Sequence, residues 1–586
     1  MTRHNHIITI ALALIVTAVS AHAQFVLNGQ GVVFDASSDT YLCSIPESAF
    51  GHDYNTVVTL DADSAWTHVT LDGQEVKTGS KLTLKNVKAG QTYTLTAKRP
   101  TSTVTAALTF TFLPIVVMQG DVEKSAFTVN TIDILQPDMP AQTLRANVRY
   151  RGSSTNYDGI KKRNYSVKFV DEKGEKLDIS LFGLRTDNNW ILDGGALDRL
   201  RVRNHLANEL WLDMARKPYY ADRAPKARNA VRGQTVELVR NGKYVGIYTM
   251  SEKMDRKQMR LMKTECVEPD EAHKHSGDVM HGMLWKASRR SNLTLMNTTT
   301  PIPNDNSDWG SFEVKYPDTN EGGAKQWEAL KQGVDFVATA DNKLFAEQVE
   351  QRFDVPVLMD YFIFKEALML FDNGGKNEYW ACYDANTEEG RKLTLAIWDL
   401  DTSMGQDWKT TFHASRVGPE LCLLDNFSNH DQVLMRLLQC NPSNFHQRML
   451  QRYYELRHTY LSEQYMIERF GHVMDKLFRS GATQRETAAQ RTDQGGTPLD
   501  FKDEWRYLQG WIVRHMAYLD SHTFALKTGD VDMDGKVTET DLTALMMVVC
   551  GKNYASPAAD VNHDGEVNIS DLTALASQVS PSSVKR

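Results

Sequence analysis

Acidic and amide side chains recur at the two ends of one stretch of this sequence. The motif Asp-Asn-Gly-Gly-Lys-Asn runs from Asp372 to Asn377, and Asp399 and Asp401 follow an apolar run further along. Apolar residues on both sides of a polar turn at 386–390 predict a β-hairpin. The two ends of a hairpin lie side by side, so we expect these side chains to share one site. Asp and Asn are also ordinary turn residues, and plain turns are the alternative.

The spacing of these residues suits phosphoryl transfer. In protein kinases an Asp accepts the proton of the substrate hydroxyl, an Asn five residues later holds one Mg²⁺, and an Asp beyond the next strand holds the other. Asp372, Asn377 and Asp399 follow that order and spacing. The pattern therefore predicts a site for magnesium and ATP.

Two segments of the first half could serve the nucleotide. A predicted strand ends in Arg151, Gly152 and Ser153, and a Gly/Ser turn offers backbone N–H groups to phosphate. Lys168 lies on the next predicted strand, as the phosphate-pairing Lys of kinases does. A Lys on a strand is usually a solvated surface residue, which is the alternative for Lys168.

Two further segments of the same half are weaker candidates. Asn208 or Glu209, on the following predicted helix, could orient Lys168. A hairpin turn at 241–244 leads into a strand that ends at Glu252, and the chain there could contact a nucleotide base.

The chain is long enough for several domains. At 586 residues it exceeds one hydrophobic core, and we expect about three to four domains. The hydrophobic share of 41% and the charged share of 24% are typical of globular proteins. The net charge of −8 is mild and dispersed, so we expect neither nucleic acid nor an anionic membrane surface as a partner.

The N-terminal residues predict the compartment. An apolar run at 7–19 precedes Ala21-His22-Ala23, a pattern typical of a cleavable secretory signal peptide over residues 1–23. An N-terminal membrane anchor is the alternative. We see no other apolar run that could span a bilayer. The mature chain is therefore predicted to be secreted, periplasmic or at the cell surface, without a transmembrane segment.

The predicted fold class is α+β with several domains. Residues 24–112 read as short alternating strands and predict an immunoglobulin-like β-sandwich. Residues 113–526 mix strands at 146–150, 165–170, 235–240 and 244–250 with helices at 199–214, 353–370, 444–470 and 503–524. The six cysteines are scattered, so free thiols or one or two disulfides are both open, with Cys422 and Cys440 the nearest candidate pair.

Residues 527–586 contain a duplicated acidic loop. Two copies of Asp-x-[Asp/Asn]-x-Asp-Gly-x-Val-x-x-x-Asp begin at Asp530 and Asp560, and each is followed by Leu-Thr-Ala-Leu. Oxygen ligands at loop positions 1, 3, 5, 7 and 12 with Gly at position 6 predict an EF-hand-type calcium loop. The predicted ligands are Asp530, Asp532, Asp534, Lys536 (backbone) and Asp541, and Asp560, Asn562, Asp564, Glu566 (backbone) and Asp571.

Taken together, residues 113 to 525 resemble the spore coat protein H (CotH) family of atypical kinases. The motifs that carry the resemblance occur in the family's order. They are Arg-Gly-x-Ser at 151–154, Lys-Lys-x-x-Tyr-x-x-Lys-Phe at 161–169, Asp198 with Arg203-Asn204, Asn-Gly-x-Tyr-x-Gly-x-Tyr at 241–248 with Glu252, the 372–377 loop, and Trp-Asp-Leu-Asp at 398–401 with Gly405.

The CotH resemblance implies a protein-kinase-like fold and ATP-dependent phosphorylation of Ser/Thr on secreted proteins. Asp372 corresponds to the catalytic Asp, Asn377 and Asp399 to the magnesium ligands, and Lys168 to the nucleotide-pairing Lys. The C-terminal repeat resembles a small all-α type I dockerin, which implies a calcium-folded module that binds a cohesin on another protein. Glu539-Thr540 and Ile569-Ser570, on the helices that leave the loops, are candidates for that contact.

The leading prediction is a secreted kinase docked to a partner through calcium. One alternative is a non-catalytic adhesion or scaffold component of an extracellular, for example polysaccharide-degrading, assembly. Transfer of AMP rather than phosphate is the other.

Overall fold

The computed structural model describes residues 25–27, 30–60, 68–77, 79–88, 90–99, 102–137, 139–152, 154–265, 279–288, 308–317, 326–409, 413–425 and 431–579. The predicted signal peptide, Ser153 and Cys266 lie outside them. The chain forms two compact units, one of Met1–Phe112 with Leu135–Ala141 and one of Leu113–Ile134 with Gln142–Arg586. The structure is mixed α+β, as predicted.

The first unit consists of two sheets around one apolar core. One sheet has the order β2-β1-β5-β8, and the other has the order β3-β4-β10-β9-β6-β7. Buried side chains of both sheets, such as Val58 and Leu108, belong to the same core, as the alternating pattern requires. The strands are β1 (Phe25–Leu27), β2 (Gln30–Gly31), β3 (Val33–Asp35), β4 (Thr40–Ser44), β5 (Tyr54–Leu60), β6 (His68–Leu71), β7 (Gln74–Val76), β8 (Lys81–Leu84), β9 (Thr92–Arg99) and β10 (Ser102–Thr111).

The second unit begins with a closed seven-stranded barrel. Its strand order is β11-β12-β13-β14-β15-β17-β16, and the parallel pairing of β11 with β16 closes it. Along β14 the side chains of Tyr165, Val167 and Phe169 are buried in the barrel core, so Lys168 points out of it. The strands are β11 (Ile115–Gln119), β12 (Thr128–Leu135), β13 (Gln142–Arg151), β14 (Asn164–Val170), β15 (Asn189–Asp193), β16 (Gly233–Arg240) and β17 (Lys243–Glu252).

The two helices of this segment are α1 (Arg203–Met214) and α2 (Arg256–Met259). The start of α1 differs from the prediction by four residues. The Asp198 carboxylate accepts hydrogen bonds from the backbone N–H groups of Leu200 and Arg203, at 2.8 and 2.6 Å. These bonds hold residues 198–202 in a turn, with Arg201 in the left-handed region at φ +66°.

A second sheet and a helical layer follow. The sheet has the order β19-β20-β18-β21-β22, and the predicted hairpin forms its β21–β22 edge. The strands are β18 (Met283–Ala287), β19 (Asp308–Trp309), β20 (Phe312–Tyr316), β21 (Glu378–Cys382) and β22 (Thr394–Ile397), and a separate hairpin joins β23 (Gln406–Lys409) to β24 (His413–Arg416).

The helices predicted at 353–370, 444–470 and 503–524 are present in this layer, with one division, and four further helices accompany them in the described chain. The predicted helix at 444–470 is interrupted, because the Ser462 hydroxyl caps a new helix by accepting from the Tyr465 N–H at 3.2 Å. Among the described residues no helix has the length and apolarity to cross a membrane. The helices are α3 (Glu328–Thr339), α4 (Asn342–Arg352), α5 (Val355–Leu368), α6 (Gln432–Cys440), α7 (Phe445–Arg457), α8 (Glu463–Arg479), α9 (Ala482–Gln490) and α10 (Phe501–Ser521).

The C-terminal segment contains α11 (Glu539–Val549) and α12 (Ile569–Val579). Leu545 and Leu575, one from each helix, are fully buried and share a small core with Val531 and Val561. Each acidic loop thus precedes one helix, and the two loop–helix units pack against each other.

Candidate functional site

The hairpin brings the two acidic segments to one end of a sheet. Glu378 of β21 pairs with Ile397 of β22. The loop that ends at Asn377 and the turn that begins at Trp398 therefore flank the same end of the hairpin. The Asn373 side chain ties them together by donating to the Trp398 carbonyl at 2.9 Å.

Hydrogen bonds within the 372–377 loop converge on Asp372. The Asn377 Nδ2 donates to Asp372 Oδ2 at 2.9 Å, which leaves the amide oxygen of Asn377 as its possible cation ligand. The Lys376 Nζ lies 2.9 and 2.7 Å from the two Asp372 carboxylate oxygens. The backbone at Asn377 and Asp399 is left-handed, with φ +58° and +59°. Such conformations store strain and are frequent at functional sites.

Four carboxylates gather around this end of the hairpin. Burial, and repulsion from Asp372 and Asp193, raise the pKa of Asp399, and the attraction of Lys286 only partly offsets them. Burial and the repulsion of Asp399, Asp193 and other carboxylates raise the pKa of Asp401 well above its ordinary value. A cation between these groups would relieve the repulsion, and oxygen donors are those that Mg²⁺ prefers.

Asn204 positions two members of this cluster. Its Nδ2 donates to Asp193 Oδ2 at 2.8 Å, and its Oδ1 accepts from the Leu400 N–H at 3.1 Å. Asp193 ends β15 of the barrel, so Asn204 joins the barrel to the acidic turn. The Asp399 side chain is exposed although protein surrounds it closely enough to shift its pKa. A group on the wall of a cleft has both properties.

Basic residues face the acidic cluster. The Arg151 guanidinium carbon lies 5.4 Å from the centre of the Trp398 ring, beside Asp399. Lys286 of β18 is next to Ala287, whose carbonyl accepts from the Asn377 N–H at 2.9 Å. Burial lowers the pKa of Lys286, and Asp399 opposes that shift. Positive and negative groups thus line one cleft, an arrangement that suits a phosphate chain with a divalent cation.

Of the predicted nucleotide residues, Lys168 lies near Arg151, and Gly152 occupies the turn that follows Arg151. The Lys168 Nζ lies 4.4 Å from the centre of the Phe127 ring. Lys168 and Arg151 are both close enough to lower the pKa of Lys253, after the larger effect of its burial. Gly152 has φ +104°, and a Cβ there would collide with the Thr155 hydroxyl. The backbone turn at that position thus requires glycine.

The other predicted residues have structural partners instead. Glu209 pairs with Arg469 at 3.0 Å rather than orienting Lys168, and Asn208 accepts from the Val231 N–H at 3.1 Å. The Glu252 carboxylate is buried and accepts from the Arg232 side chain at 2.8 Å and the Arg185 N–H at 2.9 Å. Its carboxylate is therefore engaged within the protein.

Three residues of this cleft that sequence reasoning did not single out are Lys376, Lys286 and Asp193. Lys376 lies within the quoted motif, and its position four residues after Asp372 was the available signal. Nothing in the sequence near Asp193 pointed to the cleft, because its position depends on β15 pairing within the barrel.

Both acidic repeats form tight loops, and in the first loop three of the predicted ligands lie together. Donor oxygens of Asp530, Asp532 and Asp541 lie within 4.8 Å of one another. Gly535 and Gly565 have φ +90° and +86°, as the sharp turn at position 6 requires. Each last Asp fastens its loop by accepting backbone N–H bonds, at 2.8 Å from Thr538 and 2.9 Å from Asn568. The oxygen donors fit Ca²⁺.

Residues 148–519, more than half of the chain, match the model described as CotH kinase protein. The chain belongs to the CotH kinase protein family. Residues 528–580 match the Dockerin type I domain, a class that generally binds calcium and pairs with cohesins. No curated protein matches the chain.

The dockerin module packs on the CotH domain through its first loop. Gln447 and Gln451, both on α7, donate their side-chain amides to the Asp532 carbonyl, each at 3.0 Å. Nearby, the His458 ring stacks on Tyr554 with 5.1 Å between ring centres. The predicted contact residues at 539–540 and 569–570 are exposed. Contact with α7 thus leaves the starts of α11 and α12 accessible to a partner.

The cysteines are free thiols within the described chain. Cys43, Cys382, Cys422, Cys440 and Cys550 form no disulfide, so Cys422 and Cys440, the nearest candidate pair, are not joined.

Proposed function

We propose that this CotH family member is a secreted protein kinase that transfers the γ-phosphate of ATP to Ser or Thr hydroxyls of extracellular proteins. The observation that carries the proposal is the convergence of Asp372, Asn377 and Asp399 at one end of the hairpin, with the basic residues Arg151 and Lys286 beside them. These are the residue types that phosphoryl transfer needs, where catalysis consists mainly of positioning and electrostatic stabilisation.

Each residue has a distinct role in the proposed reaction. Asp372 accepts the proton of the substrate hydroxyl as its oxygen bonds to the γ-phosphorus and the bond to ADP breaks. Asn377 and Asp399 would hold Mg²⁺, which when bound neutralises phosphate charge. Arg151 and Lys168 would contact the phosphates from the barrel side, with backbone N–H groups near Gly152 and Ser153. Glu252 marks the segment proposed to meet the base.

We also propose that calcium in the two C-terminal loops maintains the dockerin, which attaches the kinase to a cohesin-bearing partner outside the cell. The loop oxygens supply the ligand set of positions 1, 3, 5, 7 and 12. The exposed starts of α11 and α12 provide the contact surface.

The test compares two labels on ATP. Full-length protein with Mg²⁺ and constant Ca²⁺ is incubated with a protein acceptor and ATP labelled at either the γ or the α phosphate. We expect γ label on Ser or Thr of the acceptor or of the chain itself, and its loss in Asp399→Asn but not in the control Asp335→Asn, a half-buried residue of α3. Transfer of α label would indicate AMP transfer.

A melting experiment distinguishes a nucleotide-binding but non-catalytic protein from a kinase. Mg-ATP should raise the melting temperature of the wild type, because a ligand bound only by the folded state stabilises it. A rise without label transfer would favour a nucleotide-binding scaffold. The absence of both would contradict the kinase proposal.

A further inference from the structure

A segment that follows the acidic turn is fastened along its length to α10 and α5. We call residues 413–425 the strap. The Tyr507 hydroxyl of α10 lies 2.7 Å from the Val417 carbonyl, and His515 Nδ1 lies 2.7 Å from the Pro419 carbonyl. Further along, the Leu423 N–H donates to the buried Glu366 carboxylate of α5 at 2.8 Å. These hydrogen bonds hold the backbone of the strap in place up to Leu423.

Three side chains of mixed chemistry meet where the strap ends. Cys422 and Asp425, three residues apart, lie beside His522, which directly follows α10. One donor atom from each, the thiol sulfur, a carboxylate oxygen and a ring nitrogen, lies within 4.8 Å of the others. The Asp425 Oδ2 and the His522 Nε2 are 3.4 Å apart. Cys422 is buried, whereas the other two are exposed to solvent.

These distances suit a tetrahedral transition-metal ion. Zinc binds Cys sulfur at about 2.3 Å and His nitrogen or carboxylate oxygen at about 2.0–2.2 Å, so neighbouring ligand atoms stand roughly 3.3–3.8 Å apart. The Asp425–His522 separation already falls in that range. Stacking of Tyr518 on His522, with 4.9 Å between ring centres, restricts the orientation of the imidazole. Sulfur and imidazole donors favour zinc over the calcium or magnesium expected elsewhere in this chain.

We propose that Cys422, Asp425 and His522 bind one Zn²⁺ ion that cross-links the strap to the end of α10. Binding converts the Cys422 thiol to a thiolate and releases its proton. A water completes the coordination, because the cluster offers three protein ligands. The strap continues from the turn that contains Asp399, and the ion would therefore anchor the segment that leaves the proposed catalytic cleft. The proposal is independent of kinase activity.

The test uses cadmium as a spectroscopic probe, followed by zinc. Chelator-treated full-length protein, returned to saturating Ca²⁺ with a non-thiol reductant, is titrated with Cd²⁺ and the thiolate-to-metal charge-transfer absorption is recorded. We expect saturation at one ion per chain and reversal by Zn²⁺. Calcium loops and carboxylate clusters do not produce this absorption, since they lack a thiolate.

Variants assign the ligands. Cys422→Ser should abolish the absorption, while Cys440→Ser and Cys550→Ser should retain it. Asp425 and His522 are exposed, so Asp425→Asn and His522→Ala should not disturb the fold. Each substitution should weaken metal binding at least about tenfold, since losing even an outer-shell partner of a metal site has an effect of that size. At one fixed concentration, Zn²⁺ should raise the melting temperature of the wild type more than that of His522→Ala. Absorption that persists in Cys422→Ser, or that is unaffected by His522→Ala, would overturn the proposal, as would no saturable absorption at all.

Discussion

The side-chain amide of Asn377 donates a hydrogen bond to the Asp372 carboxylate, with 2.9 Å between Nδ2 and Oδ2. This bond orients the proposed base and turns the amide oxygen of Asn377 away from it. We expect Asn377→Ala to lower the turnover number about 100-fold, within the range for general-base catalysis, without unfolding the protein. Initial rates with γ-labelled ATP measure the effect. Asn386→Ala, in the polar turn of the same hairpin, is the control, and equal rates for the two variants would contradict the assignment.

Lys376 balances the charge of Asp372 at 2.7 Å. We expect Lys376→Met to reduce phosphoryl transfer about 10- to 100-fold, since it removes a charge aimed at the reacting groups. It should also lower the melting temperature without Mg²⁺, because the acidic cluster then loses a cation. Lys331 and Asp335 on α3 form a pair with the same spacing and the same 2.7 Å distance. Lys331→Met should leave both measurements nearly unchanged, and a matching loss there would show that the effect is not specific to the cleft.

The Glu252 carboxylate should contribute stability that disappears in acid. Burial acts to raise the pKa of Glu252, but hydrogen bonds from Arg232, the Arg185 N–H and Gln258 outweigh it, so the pKa is lowered on folding. The folded state then binds the proton less readily than the unfolded state. The stabilisation is complete above the unfolded pKa, near 4.3, and falls as pH drops through the folded pKa.

Glu252→Gln tests this pH dependence. We expect the variant to lose about 3 kcal/mol at neutral pH, the lower end for breaking a buried ion pair, and the difference from wild type to shrink as the pH falls below about 4. Melting curves at a series of pH values measure it. A constant difference across the acid range would contradict the lowered pKa.

The buried group Lys162, Arg201 and Glu486 joins α9 to the barrel. The Glu486 carboxylate lies 2.6 Å from Lys162 Nζ and 2.8 Å from Arg201 Nε, and burial lowers the pKa of Lys162 to about 8. Glu486→Gln leaves two cations without their counter-charge and should cost about 3–5 kcal/mol of unfolding free energy. The exposed pair of Arg479 and Asp475 is the control, because Asp475→Asn should cost under about 1 kcal/mol. Denaturant unfolding measures both, and comparable costs would refute the importance of burial.

Calcium removal should destabilise part of α7 as well as the dockerin. Chelation leaves the carboxylates of each loop repelling one another, and the two-helix core is too small to hold them alone. We expect faster hydrogen exchange in α11 and α12 and also near Gln447 and Gln451 of α7, whose partner is the Asp532 carbonyl. Strand β10 of the first unit serves as the internal reference. Unchanged exchange in α7 would show that this contact does not depend on calcium.

The sequence predicted those parts of the site that local pattern determines. The strands at 146–150 and 165–170, the hairpin and the calcium loops all have periodicity or turn chemistry within a few residues. Placement of Asp372 and Asp399 at one end of the hairpin followed from the antiparallel pairing alone. The break near Ser462 had a local signal too, since Ser before Glu is a common helix start.

Contacts between distant segments could not be predicted in this way. The barrel closes by pairing β11 with β16, more than 100 residues apart. Asp193 reaches the cleft because β15 pairs with β14 and β17 within that barrel. Glu209 was a plausible partner for Lys168 by order along the chain, but α8 presents Arg469 to it. The helix predicted at 199–214 began later because a carboxylate, Asp198, satisfies backbone donors at 200 and 203. The sequence pattern does not show which of several possible partners a side chain or backbone donor will bind.

The bonds from Gln447 and Gln451 to the first calcium loop have a consequence for assembly. A module on a loose linker would let an enzyme sample every direction around its anchor. Here two side-chain amides of α7 donate hydrogen bonds to the loop backbone. A cohesin that bound α11 and α12 would therefore also set the direction in which the acidic cleft opens. The reach of the proposed catalytic groups would then be decided by the geometry of the docked partner rather than by diffusion on a tether.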